Sequence, residues 1–179
     1  PRVLDGDWDG LQTVDMGAYE YVCSAIQRAI NLSADGETIV VEPGLYRGNV
    51  NFEGKRLIVR STDPNDPAVV AQTVIEGGIS GSAVRFSDGE GPGSVLAGFT
   101  IRGADRGVYC YATSPTIRNC DLCDYEGIAV ELWHRSAPEI ADCNICGEIV
   151  TRPAIRNVDT GKEYDFFEPA VFDANEGDT

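Results

Sequence analysis

Along the middle of the chain, apolar residues recur in short alternating runs separated by Gly, Asn, Asp or Ser-Pro, and the runs repeat. Ser94–Ile101 (SVLAGFTI), Pro115–Leu122 (PTIRNCDL) and Pro138–Ile145 (PEIADCNI) superpose as one pattern. Leu96, Ile117 and Ile140 hold its first apolar position, Phe99, Cys120 and Cys143 the second, and Ile101, Leu122 and Ile145 the third. The third position recurs after 21 and then 23 residues. A second ladder runs through Gly81, Gly107 and Gly127, spaced 26 and 20 apart, each opening a short apolar run. Period-two alternation predicts strands, and the punctuation makes them too short for a sandwich. A repeat of this length, with like residues above like, fits one coil of a parallel β-helix. A single coil cannot bury its own apolar face, so several must stack.

Upstream the period changes. Ala25, Ile26, Ala29, Ile30 and Leu32 form an apolar stripe at helical spacing, predicting a helix over Cys23–Ser33 with Ser24 as its cap. Ala34–Glu37 (ADGE) ends it. Thr38–Val41 reads as a strand, Glu42–Tyr46 (EPGLY) as a turn, and Val50–Phe52 and Leu57–Arg60 as further strands.

Ser24–Ile30 (SAIQRAI) followed by Asp35–Tyr46 (DGETIVVEPGLY) resembles the opening of pectin-lyase-like right-handed parallel β-helices. The segments Pro115–Cys120 and Gly127–Val130 are similar to the generic repeats of that superfamily. The resemblance covers roughly residues 23 to 150. It implies an all-β right-handed parallel β-helix of about four or five coils, with a short amphipathic helix plugging the first. It implies no one activity, because the scaffold carries lyases, hydrolases, epimerases and non-catalytic surface proteins alike. The division expected is an extension over 1–22, a capping helix over 23–36, coils over 37–150, and a C-terminal cap with an acidic tail over 151–179. Val14–Tyr21 (VDMGAYEY) is similar to the closing end of β-helix modules in bacterial surface proteins, yet here it precedes the helix.

Charge narrows the partners. Lys and Arg total 14 against 29 Asp and Glu, a net charge of −15. No run of basic residues reverses that sign locally, which argues against nucleic acid and anionic lipid. No apolar stretch approaches the ~20 residues of a membrane helix. The chain opens at Pro1 with no leader-like segment, as a mature form or a fragment would. Six cysteines, an even number, are compatible with an oxidising compartment, outside the cell or on its surface.

The cysteines also offer chemistry. Cys120-x2-Cys123 and Cys143-x2-Cys146 match a zinc-ribbon spacing. The repeat register opposes that reading: Cys120 and Cys143 take the inward position of Phe99, whereas Cys123 and Cys146 align with Arg102 outside. Three readings stay open: inward thiols acting as small apolar groups (with Cys110), a coil-to-coil disulfide Cys123–Cys146, and zinc.

Other candidates are dispersed. Asp5-Gly-Asp7-Trp-Asp9-Gly10 has the acidic spacing of a calcium loop, with Met16 where a bidentate Glu belongs and Asp15 or Glu20 as substitutes. Calcium is thus the one cofactor with a candidate site (Asp5, Asp7, Asp9, Asp15), and none is required. Tyr109, Tyr111, Tyr125 and Trp133 are expected along one side of the middle coils, where aromatic faces would stack on sugars. Asp105, Arg106, Arg118, Asp121, Asp124 and the single histidine, His134, are the catalytic candidates. Carboxylate pairs serve glycosidases, and an arginine beside calcium would serve a β-eliminating lyase. The hydrolase and epimerase motifs of the superfamily are not found. The first expectation is therefore a non-catalytic secreted or cell-surface module with a structural, adhesive or self-assembling role. In that role, copies would join head to tail through exposed strand edges. A carbohydrate-binding module and a calcium-dependent lyase acting on acidic polysaccharide are the alternatives.

Overall fold

In the computed structural model the described residues are 25–123 and 127–152, with the backbone of 155–156 and 163–164. Fifteen short strands wind into five coils, three strands to a coil. The first coil holds β1 (Thr38–Val41), β2 (Gly44–Arg47) and β3 (Val50–Asn51). The second holds β4 (Ile58–Ser61), β5 (Thr73–Glu76) and β6 (Ser82–Phe86), and the third β7 (Val95–Ala97), β8 (Thr100–Arg102) and β9 (Arg106–Tyr111). The fourth holds β10 (Thr116–Arg118), β11 (Asp121–Leu122) and β12 (Ile128–Trp133), and the fifth β13 (Glu139–Ala141), β14 (Asn144–Ile145) and β15 (Glu148–Arg152). Each strand pairs in parallel with its equivalents above and below, giving three five-stranded sheets: β1-β4-β7-β10-β13, β2-β5-β8-β11-β14 and β3-β6-β9-β12-β15. This is a parallel β-helix. Two short antiparallel strands, β16 (Ile155–Arg156) and β17 (Glu163–Tyr164), follow the last coil.

The register stacks the apolar repeats. Ile39, Val59, Leu96, Ile117 and Ile140 form one continuous rung across the first sheet. Val50, Val84, Val108 and Val130 form another across the third. The middle members of both are fully buried, each side chain contributing about 1.5–3 kcal/mol. Phe52 and Phe86 pack inside at 4.4 Å between ring centroids.

Turn residues make this register possible. Gly98, Asn119 and Asp142, one per coil between the first and second strands, adopt φ of 79°, 53° and 53°. Gly, Asn and Asp tolerate that left-handed conformation best. The chain thereby corners while Phe99, Cys120 and Cys143 turn inward behind it.

The first coil is closed by helix α1 (Ala25–Leu32), whose Ile26 and Ile30 are buried on the core. Gln27 lies against β3, the edge strand of the third sheet. Its side-chain oxygen accepts from Asn51 N at 2.6 Å and its amide donates to Asn51 O at 3.0 Å, as a neighbouring strand would. Lys55 Nζ donates to the terminal helix carbonyls of Ile30 and Asn31 at 2.7 and 3.1 Å.

Two sequence expectations need correction, and one element was not anticipated. Glu42–Tyr46 is not one turn, because Gly44 already opens β2, paired with Thr73. The three glycines are not one ladder: Ser82, Arg106 and Ile128 are in register, so the rung before them is Gly81, Asp105 and Gly127. Gly107 instead lies between Arg106 and Val108, level with the buried Ala83 and Ala129. Finally, a helix α2 (Pro67–Gln72) interrupts the second coil, with Pro67 in its first turn and the Asp66 carboxylate capping Ala68 N at 2.8 Å. Among the described residues no helix is long and apolar enough to cross a membrane.

A candidate binding groove on the third sheet

The outward positions of the third sheet carry the polar and aromatic residues of the middle coils. Asn51, Arg85, Tyr109 and Glu131 stand in one outward row, and Tyr111 and Trp133 in the next. They surround a groove of about 510 Å³ lined by Asn49, Val50, Asn51, Gly81, Ser82, Arg85, Arg106, Tyr109, Tyr111 and Trp133. These residues come from four successive coils. At ~4.8 Å per strand the groove runs roughly 15 Å along the helix axis. Its volume is that of a typical small-ligand site.

The groove has ordered cations. Arg106 and Arg152 both pair with Glu131, whose side chain is only 1% exposed; the Arg152 contact is 2.9 Å from Nε to Oε1. The buried carboxylate fixes two guanidiniums that are each more than a third exposed. Arg85 and Arg106 lie 5.6 and 6.0 Å from the centre of the Tyr109 ring, and Arg152 lies 5.5 Å from that of Trp133. Such cation–π contacts hold the guanidinium planes in place. Among the described lining residues there are two arginines and no carboxylate. On a chain of net charge −15 these arginines are a local concentration of cations, with Arg85 exposed and Arg106 paired with Glu131. The arginines are distant in sequence and are brought together by the coil register, so they form no run along the chain.

Of the sugar-stacking candidates, Tyr109, Tyr111 and Trp133 meet in this groove, and Tyr125 lies outside the described residues. Tyr109 and Tyr111 are half-buried, whereas Trp133 is 7% exposed and serves mainly as floor. His134 follows Trp133 in a left-handed turn, φ 50°, and stacks on Tyr111 at 5.5 Å with the rings 15° from parallel.

The catalytic candidates are not gathered. Of the described candidates Arg106 is a lining residue, and Asp105 stands beside it at the groove edge. Arg118 is exposed on β10 in the first sheet, and Asp121 lies on β11 in the second. Asp121 Oδ1 accepts from Cys123 N at 2.9 Å, and Asp105 Oδ2 accepts from Gly81 N at 3.0 Å, so both carboxylates brace turns. Asp124 lies outside the described residues, as do the calcium candidates Asp5, Asp7, Asp9 and Asp15 with the whole of 1–22. Among the described residues no three or more His, Cys, Asp or Glu are placed to share a metal ion.

The cysteine alternatives divide by position. Cys123 and Cys146 form a disulfide between the fourth and fifth coils, with a Cα separation of 4.5 Å. Cys110 and Cys120 are buried thiols, and Cys143, in the last coil, is half-buried. Burial pushes the Cys110 thiol up to about 12.

Arg85, Arg152, Asn49, Asn51 and Glu131 escaped the sequence reading. The available signal was the rung itself: once Val84, Val108 and Val130 are stacked, the residues that follow them, Arg85, Tyr109 and Glu131, must share an outward face. Comparison with protein-family models, with curated proteins and with solved structures gave no match.

Proposed function

We propose that this chain is a non-catalytic adhesive module of the cell exterior, a pectin-lyase-like β-helix that holds an acidic saccharide in the groove of its third sheet. The observation that carries this reading is the composition of the groove: Arg85 and Arg106 beside Tyr109 and Tyr111, with no carboxylate among the described lining residues. A guanidinium offers paired donors that match a carboxylate or sulfate. Aromatic rings offer apolar faces to a sugar, and Asn49 and Asn51 offer amides to its hydroxyls. The acidic remainder of the protein would repel a polyanion everywhere else, which confines binding to this face. The placement of Arg118 and Asp121 on the other two sheets supports binding over catalysis.

The test is a panel of polyuronates, sulfated polysaccharides and neutral glucans, with and without calcium. Retention is measured by affinity electrophoresis, and new reducing ends and unsaturated products are measured in parallel. The expected result is retention by an acidic polymer that weakens with salt, and no product. Equal retention by neutral glucans, or by none of the panel, overturns the binding reading. Unsaturated product overturns the non-catalytic one and favours a lyase.

A further inference from the structure

A second observation, independent of the groove, concerns the four sulfurs around β11 and β14. These strands pair with Asp121 opposite Asn144 and Leu122 opposite Ile145. Cys123 and Cys146 follow the pair immediately and are bonded to each other. Cys120 and Cys143 precede it immediately, separated by the same 23 residues. They are in contact: Cys120 N donates to Cys143 Sγ at 3.5 Å, and Asn144 N donates to Cys120 O at 2.9 Å. Each thiol also reaches the carbonyl two residues before it, Cys120 Sγ to Arg118 O and Cys143 Sγ to Ala141 O, both at 3.3 Å. Their side chains are thus oriented alike, one coil apart.

We propose that Cys120 and Cys143 are a thiol–disulfide pair that closes a second bridge between the fourth and fifth coils. The coil step that separates them already accommodates one disulfide, with a Cα spacing inside the ~4.4–6.8 Å range of such bonds. The two sulfurs differ in role. Cys143, half-buried in the last coil, is lowered to about 7, chiefly by the hydrogen bond it receives from the Cys120 thiol. Cys120 is held well above the ordinary thiol range by that same hydrogen bond and by burial. Cys143 is therefore the attacking sulfur and Cys120 the resolving one. Cys120 also lines a cleft of about 320 Å³ beside α2, next to the turns at Asn119 and Asp142.

The oxidant is a small-molecule disulfide such as oxidised glutathione. The Cys143 thiolate attacks one of its sulfurs, forming a mixed disulfide and expelling one glutathione thiolate. The Cys120 sulfur then attacks Cys143 Sγ, and its proton passes to the second departing glutathione. Two protein thiols are oxidised and one glutathione disulfide is reduced to two thiols.

The test is peptide mapping of the folded protein after treatment with oxidised glutathione at pH 8, with remaining thiols trapped by a maleimide in denaturant. A Cys23→Ser variant, altered outside the described residues, removes the sixth cysteine from the count, and the same map on the unaltered chain checks it. Free thiols are expected to fall from three to one, leaving Cys110, with a cross-linked peptide joining Cys120 to Cys143. Cys120→Ser is expected to stop at a lasting glutathione adduct on Cys143. A lasting adduct on Cys143 in a chain that keeps Cys120, or three trapped thiols in the Cys23→Ser chain with Cys123–Cys146 intact, would overturn the proposal.

Discussion

Arg106 and Glu131 are one coil apart but out of register, and the ion pair between them runs diagonally across the third sheet. Arg106 sits opposite Ile128, whereas Glu131 sits opposite Tyr109. The guanidinium therefore leans along the strand toward Tyr109 and into the groove, with Arg152 holding the other carboxylate oxygen. Glu131→Gln removes the charge that both arginines share while keeping the volume. Because the two guanidiniums remain partly solvated, the expected loss is about 2 kcal/mol. That corresponds to a fall of roughly 4–8 °C in melting temperature. Saccharide affinity should fall with it, because Arg106 is no longer aimed, and a thermal melt beside a binding isotherm checks both.

Gly98 tests the turn chemistry. Its φ is 79°, and a Cβ there would strike Ser61 Oγ and come within 2.6 Å of Pro64 Cα. Gly89 has a similar φ of 89° but open space around it. Gly98→Ala is therefore expected to cost several times more than Gly89→Ala, for which backbone strain alone gives about 1 kcal/mol. Urea unfolding of the two variants measures the difference.

Cys123–Cys146 closes a loop of sequence separation 23. Chain entropy for a loop of that size gives about 3 kcal/mol. Cys123→Ser should lower the urea midpoint accordingly, and limited proteolysis should cut first in the fifth coil, which loses its covalent tie at Cys146.

The core rung predicts a gradient. Ile117 is fully buried between Leu96 and Ile140, whereas Ile140 in the last coil is only partly covered by the described residues. Ile117→Ala is expected to cost about 3–4 kcal/mol and Ile140→Ala about half as much, by denaturant titration.

The coils were legible because one physical rule repeats. The inward residues Leu96, Ile117 and Ile140 must stack, and Gly98, Asn119 and Asp142 must turn the chain after them. Spacing alone misled only where residue type recurred off register: Gly107 is glycine at a level where its neighbours are Ala83 and Ala129, two other small residues. α2 was missed because six residues give too little periodicity to read, although Asp66 and Pro67 carried a cap signal. The groove was half legible. Tyr109, Tyr111 and Trp133 follow from strand alternation. Its charge did not follow, since Arg85, Arg106 and Arg152 become neighbours only through long-range register, and the partner of two of them, Glu131, lies in an apolar run that conceals an outward position. Chemistry was the least legible part, because the repeat spreads polar residues over three sheets and no motif says which sheet is used.

The most direct test of the central claim is isothermal titration of an acidic oligosaccharide, a uronate oligomer, into the unaltered protein and into Arg85→Ala and Tyr111→Ala. Arg85 is exposed, so its loss should leave the melting temperature unchanged. The expected result is binding that weakens about tenfold in each variant, with the salt dependence of binding reduced in Arg85→Ala alone. Binding that is unchanged in both variants, with fold and melting temperature intact, would place the saccharide elsewhere and contradict the account.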